Sequence, residues 1–202
     1  MFDLVKIAFK NFSKTGGAWS LDRCLDDLIK LLSLERFPLL EKRIKHLNEL
    51  RLNGQKFIDT VIKYKDDGFE HLLNSLVQIF PGYASDIFLK RAFLFFAQLN
   101  RNYGWFEKEM YNLPVPADYQ VPKILEHYGI LYYEDELQQA IVEETLIPKG
   151  SIVECEIRAS TIIACKRICE KTGWSMPQVD SYFWLKRKEV TTPFHLTITS
   201  DY

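Results

Sequence analysis

Seven polar residues stand within otherwise apolar, helix-forming stretches of the sequence, and their types allow chemistry. They are Lys90, Asp118, Tyr119, Glu156, Arg158, Asp180 and His195. Carboxylate and phenol groups can take part in acid–base or electrostatic catalysis, and Lys and Arg side chains bind phosphate oxygens. Because it is costly to bury an ionisable group without a partner, these positions are the first candidates for a functional site.

Each of these residues also has a structural interpretation. Asp118 lies just before a proline-started helix in the stretch VPADYQVPKILEHYG, where an Asp side chain commonly caps the helix. Glu156 and Arg158 can form a partly buried ion pair, and Lys90 can extend its ammonium group from a helix flank. His195 can be a structural histidine with satisfied hydrogen bonds. The residue types alone therefore leave both interpretations open.

Sequence motifs that define several common enzyme classes are absent. The chain has no G-x-x-x-x-G-K-[ST], G-x-G-x-x-G, H-E-x-x-H or G-x-S-x-G pattern. The usual support for a P-loop NTPase, a dinucleotide-binding enzyme, a zinc protease or a serine hydrolase is therefore missing. The four cysteines, Cys24, Cys155, Cys165 and Cys169, form no C-x-x-C pair, which predicts reduced, buried thiols and neither a metal site nor disulfides.

The composition predicts an ordinary globular protein. Of its 202 residues, 47% are hydrophobic and 14% aromatic, which is enough for a substantial core. With 26 Lys and Arg residues against 27 Asp and Glu residues, no overall field attracts nucleic acid, although a local basic groove stays open. No run of about 18 apolar residues occurs, which predicts a cytoplasmic protein that neither spans a membrane nor is exported.

Hydrophobic spacing of three and four residues predicts an all-α fold, with a single domain over residues 1–202 and about eight or nine helices. A helix is predicted in SLDRCLDDLIKLL with Ser20 as its N-cap, and FPLLEKRIKHLNEL, QKFIDTVIKYK and GFEHLLNSLVQIF are predicted to be three separate helices. A central apolar helix is predicted over residues 86–104, and later ones in YQVPKILEHYG, EDELQQAIVEE, STIIACKRICEKTG and SMPQVDSYFWLKRKE. In the stretch GSIVECEIRAS, Ile152 to Ile157 are predicted to form either a short strand or, preferably, an extended approach to the next helix. The C-terminal TTPFHLTITSDY is predicted to pack back on the domain.

Several segments, in their order along the chain, point to a known family. The five main ones are NSLVQIFPGYASDIFLKRAFLFFAQL, VPADYQVPKILEHYGILYYEDEL, ECEIRASTIIACKRI, QVDSYFWLKRKE and PFHLTITSDY. Together with GGAWSL and FPLLEKRIKHLNEL, they resemble the queuosine salvage protein family over about residues 17–202. The resemblance implies an all-helical fold distantly like that of the helix-hairpin-helix DNA glycosylases. It also implies an N-glycosylase that hydrolyses queuosine 5'-phosphate and releases the base queuine.

The resemblance further implies roles for the polar residues. Cleavage of an N-glycosidic bond builds positive charge on the sugar, and Asp118 is expected to stabilise that charge and to orient a water molecule. Because a 7-deazaguanine base has no N7 to protonate, Tyr119 or Arg158 is expected to assist its departure. Lys90 and His195 are expected to hold the 5'-phosphate as cations. No metal or cofactor is expected. The remaining substrate-binding candidates are Glu156, Asp180 and Trp184.

The chain departs from the family in its length. Longer relatives are expected to have a further N-terminal part whose aromatic residues help to wall the base pocket. Since stacking contributes about 1–3 kcal/mol per base, we expect other rings to replace that wall. The candidates are Tyr103, Trp105, Phe106, Tyr182 and Trp184. Two alternatives remain: a nucleic-acid base glycosylase of the helix-hairpin-helix type, and a non-catalytic binding protein descended from the salvage family.

Overall fold

The computed structural model describes residues 21–35, 37–64 and 68–202, and all regular elements in these ranges are helical. They are α1 (Leu21–Leu34), α2 (Leu40–Tyr64), α3 (Phe69–Ile79), α4 (Pro81–Ala84), α5 (Lys90–Tyr103), a 3-10 turn (Glu109–Tyr111), α6 (Gln120–His127), α7 (Asp135–Val142), α8 (Ile152–Thr172) and α9 (Met176–Lys186). The predicted all-α class is confirmed. Within the described ranges, no helix is both long enough and apolar enough to cross a membrane.

Helix α5 lies in the hydrophobic core. Its residue Phe96 is fully buried and contacts Phe69 of α3 edge-to-face, with ring centroids 4.6 Å apart. Phe57 of α2 packs in the same way on Phe80, with a centroid distance of 5.5 Å. Such aromatic pairs add roughly 0.5–1.5 kcal/mol each beyond the burial of apolar area. The core therefore fixes the position of α5, whose first residue is Lys90.

Helix α2 is one continuous helix of 25 residues where the sequence predicts two. The predicted break falls near Gly54, and Gly costs about 1 kcal/mol relative to Ala inside a helix. Gly54 is buried in α2, however, and Phe57 on the following turn enters the core. Packing outweighs the weak helix propensity, so the prediction of two helices is wrong.

Helix α8 begins earlier than the sequence analysis predicts, and this second prediction is wrong. The stretch GSIVECEIRAS is predicted to be extended, but α8 begins at Ile152. The Oγ atom of Ser151 accepts a hydrogen bond from the backbone N of Glu154 at 3.2 Å, and the Glu154 carboxylate accepts one from the backbone N of Gly150 at 3.1 Å. Ser-x-x-Glu is the signature of a capped helix start, so the sequence does contain the signal for this helix.

Other helix boundaries agree with the sequence. Gly173 follows α8 in a left-handed conformation with φ of 71°, and Gly129 has φ of 65° just after α6. Ser175 and Gln178 form a capping box at the start of α9. These three predicted boundaries are confirmed. The predicted N-cap Ser20 lies outside the described residues.

The C-terminal segment packs back on the domain, as predicted. Leu196 forms a parallel bridge with Leu146. Further along, the Asp201 carboxylate accepts a hydrogen bond from Ser85 at 2.9 Å. His195 and Asp201 are each only 2% exposed. The tail is therefore held against the turn that precedes α5, and it places an imidazole in the interior.

Candidate active site

The side chains of Lys90 and Asp118 form a partly buried ion pair. Lys90 Nζ lies 3.7 Å from Asp118 Oδ2, and each side chain is 13% exposed. The other carboxylate oxygen, Oδ1, accepts hydrogen bonds from the backbone N of Gln120 at 2.7 Å and of Val121 at 3.2 Å. Asp118 therefore caps α6 with one oxygen and meets Lys90 with the other. The structural and the catalytic interpretation of this residue are compatible.

Lys90 is positioned by a turn that ends at the start of α5. The Asp86 carboxylate accepts hydrogen bonds from the backbone N of Phe88 at 3.1 Å and of Lys90 at 2.9 Å. Leu89 adopts a left-handed conformation with φ of 49°, which is unusual for a bulky residue. As a result α5 begins at Lys90, later than the apolar run predicts. Asp86 is a site residue that the sequence analysis did not single out, although an Asp before an apolar helix is a recognisable cap signal.

A cavity of about 560 Å³ lies between α5, the 3-10 turn and the start of α9. Its volume is within the range that holds small-molecule ligands. On α5, Leu94, Gln98 and Arg101 follow Lys90 at spacings of three or four residues, which places all four on one helix face. Lys90 therefore lies on the continuation of the face that lines the cavity, although neither Lys90 nor Asp118 belongs to the lining itself. The lining includes Leu94, Gln98, Arg101, Tyr111, Gln178 and Asp180.

Asp180 lines the cavity, and its carboxyl group feels the charges of Asp118 and Lys90. Burial, and secondly the negative charge of Asp118, raises the pKa of Asp180 to about 7, against the opposing charge of Lys90. A substantial fraction of the Asp180 carboxyl groups is therefore protonated near neutral pH. A protonated carboxyl can donate a hydrogen bond as well as accept one. Lys90 and Asp118 thus form an ion pair whose charges reach Asp180, and the role of the three residues in one site stays a prediction.

Arg158 lies in a buried charge network. Its guanidinium donates to both carboxylate oxygens of Asp86 at 2.8 and 2.7 Å, to Glu154 at 3.1 Å, and from Nε to the carbonyl of Ala117 at 3.2 Å. Burial acts to raise the pKa of Asp86, but the hydrogen bonds from Arg158 and from the backbone outweigh it and hold that pKa below its usual value. Most donors of Arg158 thus have acceptors within the protein, which leaves little capacity to assist a departing base.

Glu156 does not pair with Arg158. Its side chain is exposed, whereas Glu154 is 1% exposed and provides the ion-pair partner. Residues four apart share one face of a helix, and residues two apart do not. Because α8 already includes this stretch, Arg158 faces Glu154. The predicted Glu156 ion pair is wrong, and the structure does not bring Glu156 to the cluster.

Tyr119 and His195 link the C-terminal tail to the segment around Asp118. The Tyr119 ring packs on Phe194 with centroids 4.6 Å apart. Among the described residues, His195 Nε2 has no hydrogen-bond partner. Burial lowers the pKa of His195 to about 4, against the raising effects of Glu154 and Asp118. The imidazole is therefore neutral at pH 7 and does not supply the positive charge expected of it.

The rings that the sequence analysis expected to wall a base pocket do not line this cavity. Phe106 belongs to the core, where its ring centroid lies 5.7 Å from that of Phe96. Trp184 is 39% exposed and its ring faces the Arg187 guanidinium. Within the described part of the chain, the aromatic ring in the lining is that of Tyr111. The predicted substitute wall is therefore wrong for this cavity. The rings absent from its lining are Tyr103, Trp105, Phe106, Tyr182 and Trp184.

The four cysteines are free thiols as predicted, but of the four only Cys165 is buried, and Cys24, Cys155 and Cys169 are partly exposed. Cys165 and Cys169 lie one turn apart on α8, and burial raises the pKa of both, which favours the protonated thiol. In residues 21–35, 37–64 and 68–202, no group of three or more His, Cys, Asp or Glu side chains could hold a metal ion.

The fold and the site define an all-α protein with a ligand-sized cavity lined by Asp180 and a Lys90–Asp118 ion pair that acts on Asp180 electrostatically. The family described as queuosine salvage protein matches residues 18–199 of this sequence. Because this match spans most of the chain, the protein belongs to the queuosine salvage protein family. The resemblance inferred from the sequence segments is confirmed.

Three relatives, each named queuosine 5'-phosphate N-glycosylase/hydrolase, define the extent of the similarity. The relative from Schizosaccharomyces pombe is 26% identical over 83% of this chain and 55% of its own length. The one from Sphaerobacter thermophilus is 29% identical over 88% of this chain and 62% of its own length. The one from Nematostella vectensis is 30% identical over 71% and 47%, respectively. The chain thus spans about half to three fifths of the length of these relatives.

Proposed function

We propose that this protein hydrolyses the N-glycosidic bond of a nucleoside 5'-phosphate that carries a 7-deazaguanine-type base such as queuine. In this reaction a water oxygen bonds to the anomeric carbon, and the carbon–nitrogen bond breaks. The base leaves with the bonding electron pair and takes up a proton. The observation that carries the proposal is the Lys90–Asp118 ion pair, whose two charges act on Asp180 in the lining of the cavity. The shared name of the three relatives supports the same substrate class.

Asp118 is the proposed catalytic residue. Departure of the base leaves positive charge on the sugar, and a fixed carboxylate near the anomeric carbon stabilises that charge and can accept a proton from the attacking water. The hydrogen bonds from Gln120 and Val121 to Oδ1 fix the carboxylate before the substrate binds. Oδ2 remains available for the reacting centre, with Lys90 as its counter-charge.

Asp180 is the proposed proton donor to the departing base. Its pKa of about 7 keeps a substantial protonated fraction near neutral pH, which suits a general acid. Since a 7-deazaguanine has no N7, the proton or hydrogen bond must reach another position on the base. Two carboxyl groups in different environments can take opposite roles in one site. Asp118 acts on the sugar and Asp180 on the base.

Lys90 is the proposed contact for the 5'-phosphate. An ammonium group has three donors, and the 3.7 Å contact with Asp118 is longer than a hydrogen bond, so these donors can meet phosphate oxygens. Tyr119, packed on Phe194, is a further proposed contact through its hydroxyl group. His195 contributes as a neutral hydrogen-bonding group through its unpaired Nε2. Trp184 stays a predicted contact only, since its ring packs on the Arg187 guanidinium and is 39% exposed.

The test is a search for free base by mass spectrometry. Purified protein is incubated with queuosine 5'-phosphate, with queuosine, and with guanosine 5'-phosphate, and the Asp118→Asn variant serves as the control. We expect queuine to be released from the nucleotide by the wild-type protein and much more slowly by the variant. Binding of the nucleotide without release would favour a non-catalytic binding protein. Release from queuosine within tRNA, but not from the free nucleotide, would favour a nucleic-acid glycosylase.

A further inference from the structure

A single buried guanidinium, that of Arg158, connects the two segments that carry Lys90 and Asp118. Arg158 is 2% exposed. Its guanidinium carbon lies 4.4 Å from the ring centroid of Tyr202 and 4.7 Å from that of Phe88. Two aromatic faces and several fixed acceptors thus hold this planar group in one place.

The first connection leads to Lys90. The Asp86 carboxylate receives two hydrogen bonds from Arg158, at 2.8 and 2.7 Å. The same carboxylate accepts the backbone N of Lys90 at 2.9 Å. Arg158 therefore fixes the first residue of α5 through one intermediate side chain.

The second connection leads to Asp118. Arg158 Nε donates to the carbonyl oxygen of Ala117 at 3.2 Å. Ala117 directly precedes Asp118 in the chain, and both residues are buried. The guanidinium thus anchors the peptide that carries the proposed catalytic carboxylate.

We propose that Arg158, acting through Asp86 and the Ala117 carbonyl, sets the separation between Lys90 Nζ and Asp118 Oδ2. Arg158 is then a positioning residue and does not itself contact the substrate. Only a planar group with several donors can bind a carboxylate with two parallel hydrogen bonds while a third donor reaches a carbonyl. A lysine keeps the charge but cannot reproduce this geometry. The effect on turnover rests on the proposed function, whereas the geometric effect does not.

The decisive variant is Arg158→Lys, because it preserves the positive charge and removes the planar guanidinium with its parallel donors. We expect kcat for release of queuine from queuosine 5'-phosphate to fall about 10- to 100-fold, the scale of a misplaced catalytic group, with a smaller change in KM. We also expect the titration midpoint of the Asp180 carboxyl, followed by carbon-13 NMR, to move by about half a unit or more, because it responds to the charges of Asp118 and Lys90. Combined with Asp118→Asn, the Arg158→Lys change is expected to add little further loss of kcat.

The matched control is Leu72→Ala, a fully buried position on α3, a helix that contributes no residue to the site. This variant lowers Tm but is expected to leave kcat and the Asp180 midpoint unchanged at temperatures where it is folded. If folded Arg158→Lys protein keeps both wild-type values, the proposal is overturned.

If Arg158→Lys does not fold, Asp86→Asn is measured in the same way with the same criteria. Failure of both variants to fold would assign the network to stability alone and would also overturn the proposal. If the wild-type protein releases no base from any substrate, the proposed function fails, and the NMR titration still decides the role of Arg158.

Discussion

The two oxygens of Asp118 have different partners, and this separation allows its two roles to be measured independently. Oδ1 accepts the cap bonds of α6 and Oδ2 faces Lys90. Asn has the same shape and caps helices as well as Asp, but it lacks the charge. Alanine lacks both the cap and the charge.

We therefore expect Asp118→Asn to lower turnover at least about 100-fold, with little change in stability. Asp118→Ala is expected to lose turnover to a similar degree and in addition about 1 kcal/mol of unfolding free energy, as for a lost cap. Single-turnover release of queuine and urea unfolding measure the two effects. Full turnover in Asp118→Asn would leave the residue with a capping role only.

Asp180 makes stability depend on pH in an unusual direction. Its pKa is raised from 3.8 to about 7 on folding. Between these values the native state binds up to one more proton than the unfolded state, so the unfolding free energy falls as pH rises towards 7. Above pH 7 the ionised, buried carboxylate lowers the unfolding free energy by a constant amount. We expect Asp180→Asn to raise the unfolding free energy at pH 8 by an amount on the order of 2 kcal/mol.

The same substitution is expected to abolish the decline in kcat above pH 7 that a protonated general acid causes. Urea unfolding and pH–rate profiles at pH 5 to 9 provide the measurements, at about one-unit steps. If the unfolding free energies of the wild-type protein and Asp180→Asn differed by the same amount at every pH, the pKa of Asp180 would not be raised on folding.

Lys90 is expected to discriminate between a nucleotide and a nucleoside. Only the phosphorylated substrate offers a dianion to its ammonium group, so Lys90→Ala should lower kcat/KM for queuosine 5'-phosphate more than for queuosine. An exposed lysine outside the site, Lys108, gives the control variant Lys108→Ala, which should affect neither substrate. Equal losses on both substrates would instead give Lys90 a role in holding Asp118.

At the scale of the element, the phase of α8 decides which charges are buried. Helical residues four apart face the same way, so a helix that begins at Ile152 turns Glu154 and Arg158 to the interior and Glu156 to solvent. In an extended segment, side chains two residues apart lie on the same face, so an extended GSIVECEIRAS would instead place Glu156 beside Arg158. One misplaced helix start thus changes the predicted members of the site.

The cap of α8 can be tested by Ser151→Ala. This change removes the hydrogen bond that Glu154 N donates to Ser151 Oγ, and we expect a loss of about 0.5–2 kcal/mol of unfolding free energy. The control Ser160→Ala, at an exposed position within the same helix, should be neutral or slightly stabilising because Ala has the better helix propensity. Urea unfolding of both variants measures the contrast. Equal effects would argue against a helix start at Ile152.

At the scale of the whole molecule, the C-terminal tail joins distant parts of the chain through Asp201. This carboxylate is 2% exposed, accepts a hydrogen bond from Ser85, and pairs with Lys149 and with Arg91, the latter at 3.7 Å. We expect Asp201→Asn to cost about 2 kcal/mol of unfolding free energy, less than a fully buried pair because Lys149 is partly exposed. Glu189→Gln, which breaks an exposed pair with Lys186, is the control and should change stability little. Similar urea midpoints for the two variants would contradict this role of the tail.

Helical periodicity and cap residues predicted the all-α class and most helix ends, because these depend on neighbouring residues, and the apolar character of the C-terminal segment predicted its return to the domain. Helical periodicity also selected Lys90, Asp118 and Asp180, since charges in apolar helical stretches stand out. It did not find Asp86, whose partner Arg158 lies 72 residues away in the chain. Nor did it find the merged α2, where packing of Phe57 overrides a local break at Gly54. Pairings between distant residues and the exact phase of each helix are set by tertiary packing, and a single sequence shows them only weakly.

Because Asp118 both caps α6 and carries the proposed catalytic charge, few substitutions at this position can preserve both roles during evolution. Asn, Ser and Thr can cap a helix but carry no charge, while Glu carries the charge on a side chain one methylene longer than the cap geometry suits. A lineage released from selection for activity can therefore replace Asp118 by Asn with little effect on folding. Members of the family that have lost the reaction are expected to be well folded, and Asn at this position is the substitution by which to recognise them.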